Sequence, residues 1–266
     1  MRAGDTYTVH NSSDDDFGVP GQHIESVVVD DTYRYGHHNI AWRLMSAFVY
    51  YIIAPIPVFI MGKAHGLRFV NRRALSQAPG CYMYGNHTHW LDAVIPYLMC
   101  FPKRAWVVIG PTAVSVRGLR VLVEWVGGVP LNTTEQGKAA FREFLDEQIK
   151  RGGRVAIYPE AHEWPYYNGV RDFSSRSFTY PVRTSTPVFS WVVTYRKRPV
   201  FKSRAPHMTA TVSQQFDPSL WVGADDPKGV TRDAVYQFMS QTIQQQKSYA
   251  WVEYVADGSD DHSQGS

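Results

Sequence analysis

The sequence has few cysteines and little excess charge. Cys81 and Cys100 are its two cysteines in 266 residues, and they form neither a disulfide framework nor a zinc-binding spacing. The formal net charge is +3, which is too weak to indicate a nucleic-acid partner. We therefore expect reduced thiols, a chain that faces the cytosol, and no binding of nucleic acid.

The sequence also lacks a signal-peptide pattern and an internal repeat. Residues 1–36 contain a run of Asn, Ser and Asp and few periodic apolar residues, which predicts a largely disordered leader. Residues 256–266 are polar and predict a frayed tail. The hydrophobic fraction of 44%, with 14% aromatic residues, is ample for a core between them.

No hydrophobic run is both long and uninterrupted enough to be an ordinary spanning helix. Residues 44–61 carry no charge, but Pro55 and Pro57 interrupt them. This pattern favours a kinked or re-entrant helix within residues 37–65 that lies in a membrane interface, with Trp42, Tyr50 and Tyr51 near the lipid headgroups. A buried helical hairpin and a single spanning anchor remain alternatives.

Short apolar runs alternate with helical patterns over residues 66–255. This alternation predicts an α/β fold with a mixed, mostly parallel central sheet flanked by helices, preceded by the N-terminal membrane-docking helical segment. A Thr-x-x-Gln spacing at residues 133–136 is typical of a capping box and predicts a helix start there. The predicted strands are 81–84, 105–109, 155–158, 187–195 and 208–212, and other predicted helices are 114–126 and 233–245.

The densest polar stretch, residues 84–92, follows the predicted strand 81–84 and contains His87, His89 and Asp92. Residues five apart on a helix point about 140° from each other, so His87 and Asp92 cannot pair on a helix face. They can pair if His87 lies in the turn and Asp92 in the first helical turn. The carboxylate would then fix the tautomer of the imidazole and raise its basicity, as a general base requires. Backbone amides at the start of that helix are candidate oxyanion donors.

Two other interpretations of this stretch are open. A polar turn after a strand can contain His and Asp by chance. His87, His89 and Asp92 also resemble part of a metallo-hydrolase ligand run. No histidine follows the aspartate directly, and the other histidines form no second ligand cluster. We therefore expect no metal.

A second polar turn follows the predicted strand 155–158 and reads Pro159-Glu160-Ala161-His162-Glu163. Because parallel strands end at the same edge of a sheet, this turn is expected to lie beside His87. Glu160 is therefore a second candidate polar group for the site.

Together, these blocks resemble the glycerolipid acyltransferase family, which includes the lysophosphatidate (1-acylglycerol-3-phosphate) acyltransferases. The family's Asn-His-x4-Asp block is matched in full, its glycine-rich and Pro-Glu-Gly-Thr-Arg blocks in part, and its Val-Pro-Val-like strand start approximately. The order and spacing extend from about Gly66 to Tyr195, so the resemblance implies an acyltransferase domain over residues 66–255. The matched positions are Asn86, His87 and Asp92, residues 127–133, residues 158–160 and residues 186–189.

The sequence differs from the family pattern at two positions where the family has an arginine. Thr133 stands where the family has an arginine in its second block, and Ala161-His162-Glu163 stands where it has Gly-Thr-Arg. Those family arginines are thought to hold the acceptor's phosphate, so another cation must replace them or the acceptor differs. Three arginines follow the Pro-Glu block and could replace the family's arginines, unless they are solvated surface residues: Arg171, Arg176 and Arg183.

The resemblance implies transfer of a fatty acyl group from acyl-CoA or acyl carrier protein to a lysolipid hydroxyl, with 1-acylglycerol 3-phosphate as the expected acceptor. It implies a membrane-associated enzyme at the cytoplasmic face, without a cofactor. A different acceptor, a non-catalytic lipid-binding protein and a metallo-hydrolase remain alternatives. The predicted catalytic residues are His87 and Asp92, and the predicted substrate-binding residues are Asn86, Glu160, His162, Arg171 and Arg176.

Overall fold

The computed structural model describes residues 1–10, 15–17, 29–36, 39–115, 120–132, 134–200, 204–216, 221 and 223–256. The elements alternate along the chain as the apolar runs predict. The strands are β1 Thr6–Val9, β2 Arg68–Val70, β3 Cys81–Gly85, β4 Ala105–Ile109, β5 Gly128–Pro130, β6 Arg154–Ile157, β7 Val188–Arg196, β8 His207–Val212 and β9 Glu253–Ala256. The α-helices are α1 Ile40–Phe48, α2 Pro55–Ala64, α3 Ile95–Cys100, α4 Arg120–Trp125, α5 Glu135–Lys150, α6 Thr179–Thr184 and α7 Pro227–Gln245.

Seven strands form the central sheet in the order β2-β8-β7-β3-β6-β4-β5. All neighbouring pairs are parallel except β7 and β8, which are antiparallel. The predicted mixed, mostly parallel sheet flanked by helices is therefore confirmed. β3 lies in the centre, so the turn after it opens at the middle of one edge of the sheet.

Side chains alternate between the two faces of the sheet and build two apolar layers. On the first face, Met83 and Trp191 pack with Ile95 of α3. On the second face, Tyr84 packs with Phe141 of α5. The central strands are buried on both faces, which explains why they read as continuous apolar runs in the sequence.

The N-terminal apolar segment is helical from Ile40 to Ala64, with a π-helical turn at Val49–Ile53 between α1 and α2. It is long and apolar enough to cross a membrane, by length and composition. The helix continues through the two prolines because Pro55 begins α2, where a missing N–H is tolerated. Its large exposed apolar side chains could dock on a membrane: Ile40, Leu44, Met45, Phe48, Tyr51, Ile52, Ile53, Ile56, Phe59 and Ile60.

The expectation that Tyr50 lies near lipid headgroups is wrong. Tyr50 is fully buried, its hydroxyl accepts a hydrogen bond from the backbone N–H of Ala105 at 2.9 Å, and its carbonyl accepts one from the Tyr97 hydroxyl. Trp42 is half-buried against Trp125, with ring centroids 5.4 Å apart. Tyr51 is the exposed member of the three predicted interface aromatics.

The chain ends and three helix starts differ in detail from expectation. The predicted leader, residues 1–36, contains β1, which pairs in parallel with β9; residues 11–14 and 18–28, and residues 257–266 of the predicted tail, lie outside the described part. Thr134 caps α5 through Gly137 N–H at 3.1 Å, one residue beyond the predicted cap at Thr133, which is not described. The helix predicted at 114–126 is described as α4 from Arg120, and α7 begins earlier than predicted, at Pro227.

Asn86 joins β3 to β7 beyond the last regular pair of residues. Its side-chain Nδ2 donates to the carbonyl of Val193 at 3.1 Å, and its Oδ1 accepts from the N–H of Val193 at 2.7 Å. The side chain is fully buried. Asn86 therefore mimics one more step of the β ladder and fixes the path of the chain into the turn that follows.

We predict that Asn86→Ala lowers the free energy of unfolding by about 2 kcal/mol, because it leaves a buried N–H and a buried carbonyl without partners. The measurement is urea unfolding followed by circular dichroism, compared with Gln77→Ala on the exposed surface. An unfolding midpoint for Asn86→Ala equal to that of the control would contradict the ladder role.

Candidate active site

Three parallel strands bring the candidate residues to one edge of the sheet. β3 leads into His87, β6 leads into the turn with Glu160, and β7 lies beside β3 on the other side. Backbone hydrogen bonds fasten the second turn onto the first: Trp164 N–H donates to the His87 carbonyl at 3.1 Å, and Tyr166 N–H donates to the Thr88 carbonyl at 2.7 Å. The two polar turns predicted to meet therefore lie against each other.

The His87 ring and the Asp92 carboxylate are paired across the turn. His87 Nδ1 lies 3.1 Å from Asp92 Oδ2, with His87 in the turn and Asp92 in the 3₁₀ helix Trp90–Ala93. This is the arrangement that the five-residue spacing permits. The Asp92 side chain is fully buried, whereas 23% of the His87 side chain is exposed.

Asp92 Oδ2 also closes the turn itself. It accepts from the backbone N–H of Thr88 at 2.7 Å and from that of His89 at 3.0 Å, and His89 Nδ1 in return accepts from Leu91 N–H at 3.0 Å. This is a reciprocal capping box in which a histidine occupies the N-cap position. Because Asp92 Oδ2 already accepts from two backbone N–H groups, it is the acceptor in its bond with His87 as well, and the proton in that bond lies on Nδ1.

These bonds leave Nε2 of His87 as the basic nitrogen. No described residue hydrogen-bonds to it, and the ring stacks on Tyr158 with centroids 4.7 Å apart. Burial has the largest single effect on the pKa of His87 and lowers it, but the hydrogen bond and charge of Asp92, with Glu163 and Glu160, raise it above its ordinary value overall. The ring is thus a stronger base than a free imidazole.

His89 faces a different way from His87. Its ring contacts His65, Trp90 and Tyr166, and burial lowers its pKa to about 4, so it is neutral near pH 7. Within the described parts of the chain, no group of three His, Cys, Asp or Glu side chains could hold a metal ion. That the reaction needs no metal stays a prediction.

Glu160 and Arg171 form a buried ion pair behind the His87 turn. Arg171 Nε lies 3.3 Å from Glu160 Oε2, its Nη2 donates to the His162 carbonyl, and its guanidinium lies 4.9 Å from the centroid of the Trp164 ring. Burial raises the pKa of Glu160 to about 7, although Arg171 opposes that rise. Arg171 is therefore not a solvated surface arginine.

The other predicted substrate-binding residues are placed less favourably. Both ends of the Asn86 amide bond to Val193, so this side chain has no group left for a substrate. His162 is half-exposed, with Nδ1 3.5 Å from Asp16 Oδ2. Arg176 is exposed, and no described contact joins it to His87 or Asp92. Arg183 pairs with Asp146 at 2.7 Å on the surface.

Four of the backbone amides at the start of this helix, which were suggested as oxyanion donors, are already used. Thr88 and His89 N–H donate to Asp92, Leu91 N–H donates to the His89 ring, and Asp92 N–H donates to the His89 carbonyl at 2.7 Å. The start of this helix therefore stabilises its own cap. That another backbone amide of this turn acts as the oxyanion donor stays a prediction.

Several residues that support the site were not predicted from the sequence. The Tyr158 hydroxyl donates to the Asp92 carbonyl at 2.6 Å, and the Tyr195 hydroxyl bonds Thr88. Both tyrosines end apolar runs that predict strands, and this position at the sheet edge was the available signal. From the leader, Phe17 N–H donates to the Glu163 carbonyl at 3.0 Å, a contact that no sequence pattern indicates.

Comparisons with known proteins agree with this fold. An acyltransferase family model matches residues 63–194, and no curated protein sequence matches significantly. The fold is similar to the crystal structure of the 1-acyl-sn-glycerophosphate (LPA) acyltransferase PlsC from Thermotoga maritima, with a TM-score of 0.55 and 13% identity. That match covers 79% of this chain and 90% of PlsC.

At that identity the structural likeness shows the fold alone. The family model spans the turn with His87 and Asp92, the turn with Glu160, and all the strands from β2 to β6. Over residues 63–194 the chain is therefore a member of this acyltransferase family, and it is an O-acyltransferase.

Proposed function

We propose that the protein transfers a fatty acyl group from a thioester, either acyl-CoA or acyl carrier protein, to a hydroxyl of a lysolipid. The observation that carries this proposal is the pairing of His87 Nδ1 with the buried Asp92 carboxylate, which leaves Nε2 of a partly exposed ring as a base. A base of this kind is what activation of an alcohol requires.

In the proposed reaction, the substrate hydroxyl approaches Nε2 of His87 and gives it its proton as the oxygen attacks the thioester carbonyl. The C–O bond forms, the C–S bond breaks, and the thiolate leaves and takes up the proton from the imidazolium. Asp92 stabilises the imidazolium through its charge and holds the ring in place. The buried Glu160–Arg171 pair positions the second turn against the His87 turn.

The acceptor implied by the family resemblance is 1-acylglycerol 3-phosphate, which would yield phosphatidic acid. A phosphate needs cations, and two of the three candidate arginines are already paired with carboxylates, Arg171 with Glu160 and Arg183 with Asp146. This observation favours the alternative left open by the sequence, an acceptor of the same lysolipid class without a phosphate at that position.

Membrane association at the cytoplasmic face is part of the same proposal. The helical segment Ile40–Ala64 exposes an apolar surface, and a lysolipid substrate resides in a membrane. Docking of this surface on the bilayer would let the acceptor reach the sheet edge without crossing water.

We predict that His87→Ala lowers kcat/KM by about 10²- to 10⁴-fold while the fold is retained, because it removes the general base from a partly exposed turn. The measurement is release of free thiol from an acyl thioester in the presence of lysolipid, with circular dichroism to check folding. A folded variant with the rate of the parent protein would contradict the proposal.

The pH dependence of kcat/KM provides a separate test. Burial lowers the pKa of His87 and Asp92 raises it, and only the neutral imidazole accepts a proton. Activity should therefore rise with pH through this pKa. Asp92→Asn removes the negative charge beside His87. We therefore predict that the acidic limb of the pH profile of kcat/KM moves to lower pH, while the plateau value of kcat/KM falls. An unchanged limb in a folded Asp92→Asn variant would show that Asp92 does not set the basicity of the ring.

A further inference from the structure

A cavity of about 680 Å³ opens at the edge of the sheet opposite to His87. Its wall includes Arg154 at the start of β6, which lies beside Cys81 at the start of β3. His87 follows the other end of β3, which is about 13 Å away at the rise of a strand. The volume of the cavity is in the range of sites that hold small ligands, so it is a candidate binding site separate from the candidate active site.

The charged residues on the wall of this cavity are all cations. They are Arg72, Arg73, Lys103 and Arg154, and among the described residues no carboxylate lines it. None of the four forms an ion pair with a described residue. We call it the basic cavity. A cluster of like charges without a counter-charge attracts anions.

A second cavity shows that this excess of cations is not general. It has a volume of about 500 Å³, is lined by residues of α1 and α5 among others, and carries Glu124 and Glu147 as well as four arginines. One of these arginines, Arg151, pairs with Glu147 at 2.6 Å. The lack of a lining carboxylate therefore distinguishes the basic cavity.

Arg154 is a buried charge in the wall of the basic cavity. Its residue is only 2% exposed. In the described structure its guanidinium donates to four backbone carbonyls, those of Leu75, Ala78, Pro79 and Gly152. Carbonyls satisfy N–H groups but carry no net charge. A buried cation is costly without a counter-charge, so an anion bound in the cavity would stabilise it.

Arg73 and Lys103 are the groups that can contact such an anion directly. Both are exposed, and their side chains form no ion pair with a described residue. The side chain of Arg72 is held at the wall, because its Nη2 donates to the Phe101 carbonyl at 2.6 Å. Arginine and lysine side chains are strong donors to phosphate oxygens. The chemistry of the wall therefore fits a phosphate group.

The position of the basic cavity favours a lipid as the bearer of that phosphate. The Phe101 ring centroid lies 5.9 Å from that of Phe59 and 6.3 Å from that of Tyr51, and both partners are exposed on the apolar segment Ile40–Ala64. Apolar side chains also form part of the cavity wall, namely Phe69, Leu75 and Met99. A molecule with both a phosphate and acyl chains matches this wall, whereas a free phosphate or an acidic protein surface would leave its apolar part uncovered.

We propose that the basic cavity binds the phosphate group of an anionic membrane phospholipid, with Arg73 and Lys103 at the phosphate and the acyl chains towards the segment Ile40–Ala64. This lipid is not the acceptor of the reaction, and it holds the enzyme on the bilayer from the edge of the sheet opposite to His87. The inference rests on the membrane association that is part of the proposed function. Its test needs neither an acyl donor nor an acceptor.

The test measures equilibrium binding to the full chain by isothermal titration calorimetry, in micelles of an uncharged detergent that have no surface potential. The probes are dihexanoyl phosphatidate, dihexanoyl phosphatidylcholine and sn-glycerol 3-phosphate. The variants are Arg73→Gln and Lys103→Gln. The matched controls are Arg43→Gln and Lys63→Gln, which remove exposed cations of the same two types on the apolar segment, outside the basic cavity.

We expect the parent protein and the controls to bind dihexanoyl phosphatidate at least about 10-fold more tightly than either other probe. Choline cancels the charge of the phosphate, and glycerol 3-phosphate lacks methylene groups, of which the burial of two corresponds to about 10-fold. Arg73→Gln and Lys103→Gln should each lower the affinity for dihexanoyl phosphatidate by about 5-fold. Each variant is judged by the ratio of its affinities for the two lipids, so a loss of folded protein cancels.

Three results would overturn the inference. Glycerol 3-phosphate that binds as tightly as dihexanoyl phosphatidate would identify a site for free phosphate. Equal ratios in the cavity variants and the controls would place the bound lipid elsewhere, including at the reaction site. Binding of acyl carrier protein instead of phosphatidate, with a dependence on Arg73 and Lys103, would identify a protein partner. Thiol release from an acyl thioester is measured separately on the parent protein, so the proposed acyl transfer stands or fails independently of these results.

Discussion

One carboxylate oxygen organises the candidate active site. Asp92 Oδ2 accepts hydrogen bonds from the N–H groups of Thr88 and His89 and from the Nδ1–H of His87. A single buried atom therefore determines both the conformation of the turn and the orientation of the His87 ring. A buried carboxylate is costly to desolvate unless it is hydrogen-bonded. These three donors offset that cost, and they make the conformation of the turn and the charge of the site depend on each other.

The sheet supplies the rigid frame on which this turn depends. Asn86 extends the pairing of β3 with β7, and Tyr195 at the end of β7 bonds Thr88. On the other side, Tyr158 at the end of β6 bonds the Asp92 carbonyl and stacks on His87. The ring is thus held between groups from three adjacent strands. Such preorganisation lowers the cost of reaching a geometry in which an alcohol loses its proton.

The sequence was sufficient for the parts of this arrangement that local patterns determine. The alternation of apolar runs predicted the sheet, and the spacing of His87 and Asp92 allowed their pairing across a turn. The partner of Arg171 could not be predicted, because Glu160 is brought to it by the fold of an irregular loop, and a sequence does not show which arginines become buried. Tyr50 was misplaced for a similar reason, since apolar helices hide which face packs on the protein.

The described leader residues illustrate a second limit. Phe17 and Asp15 lie in a polar stretch without periodicity, yet their backbone groups bond the loop that contains Glu163 and Trp164. Such contacts depend on complementary shape and on backbone donors, and neither leaves a signature in residue type.

The most direct test of this account is the tautomer of the neutral His87 ring, measured by ¹⁵N NMR on imidazole-labelled protein with His87→Ala as the reference for assignment. The account predicts a protonated Nδ1 that bonds Asp92 and an unprotonated, basic Nε2. A neutral ring with its proton on Nε2 would contradict it, because that nitrogen could then not take a proton from an alcohol.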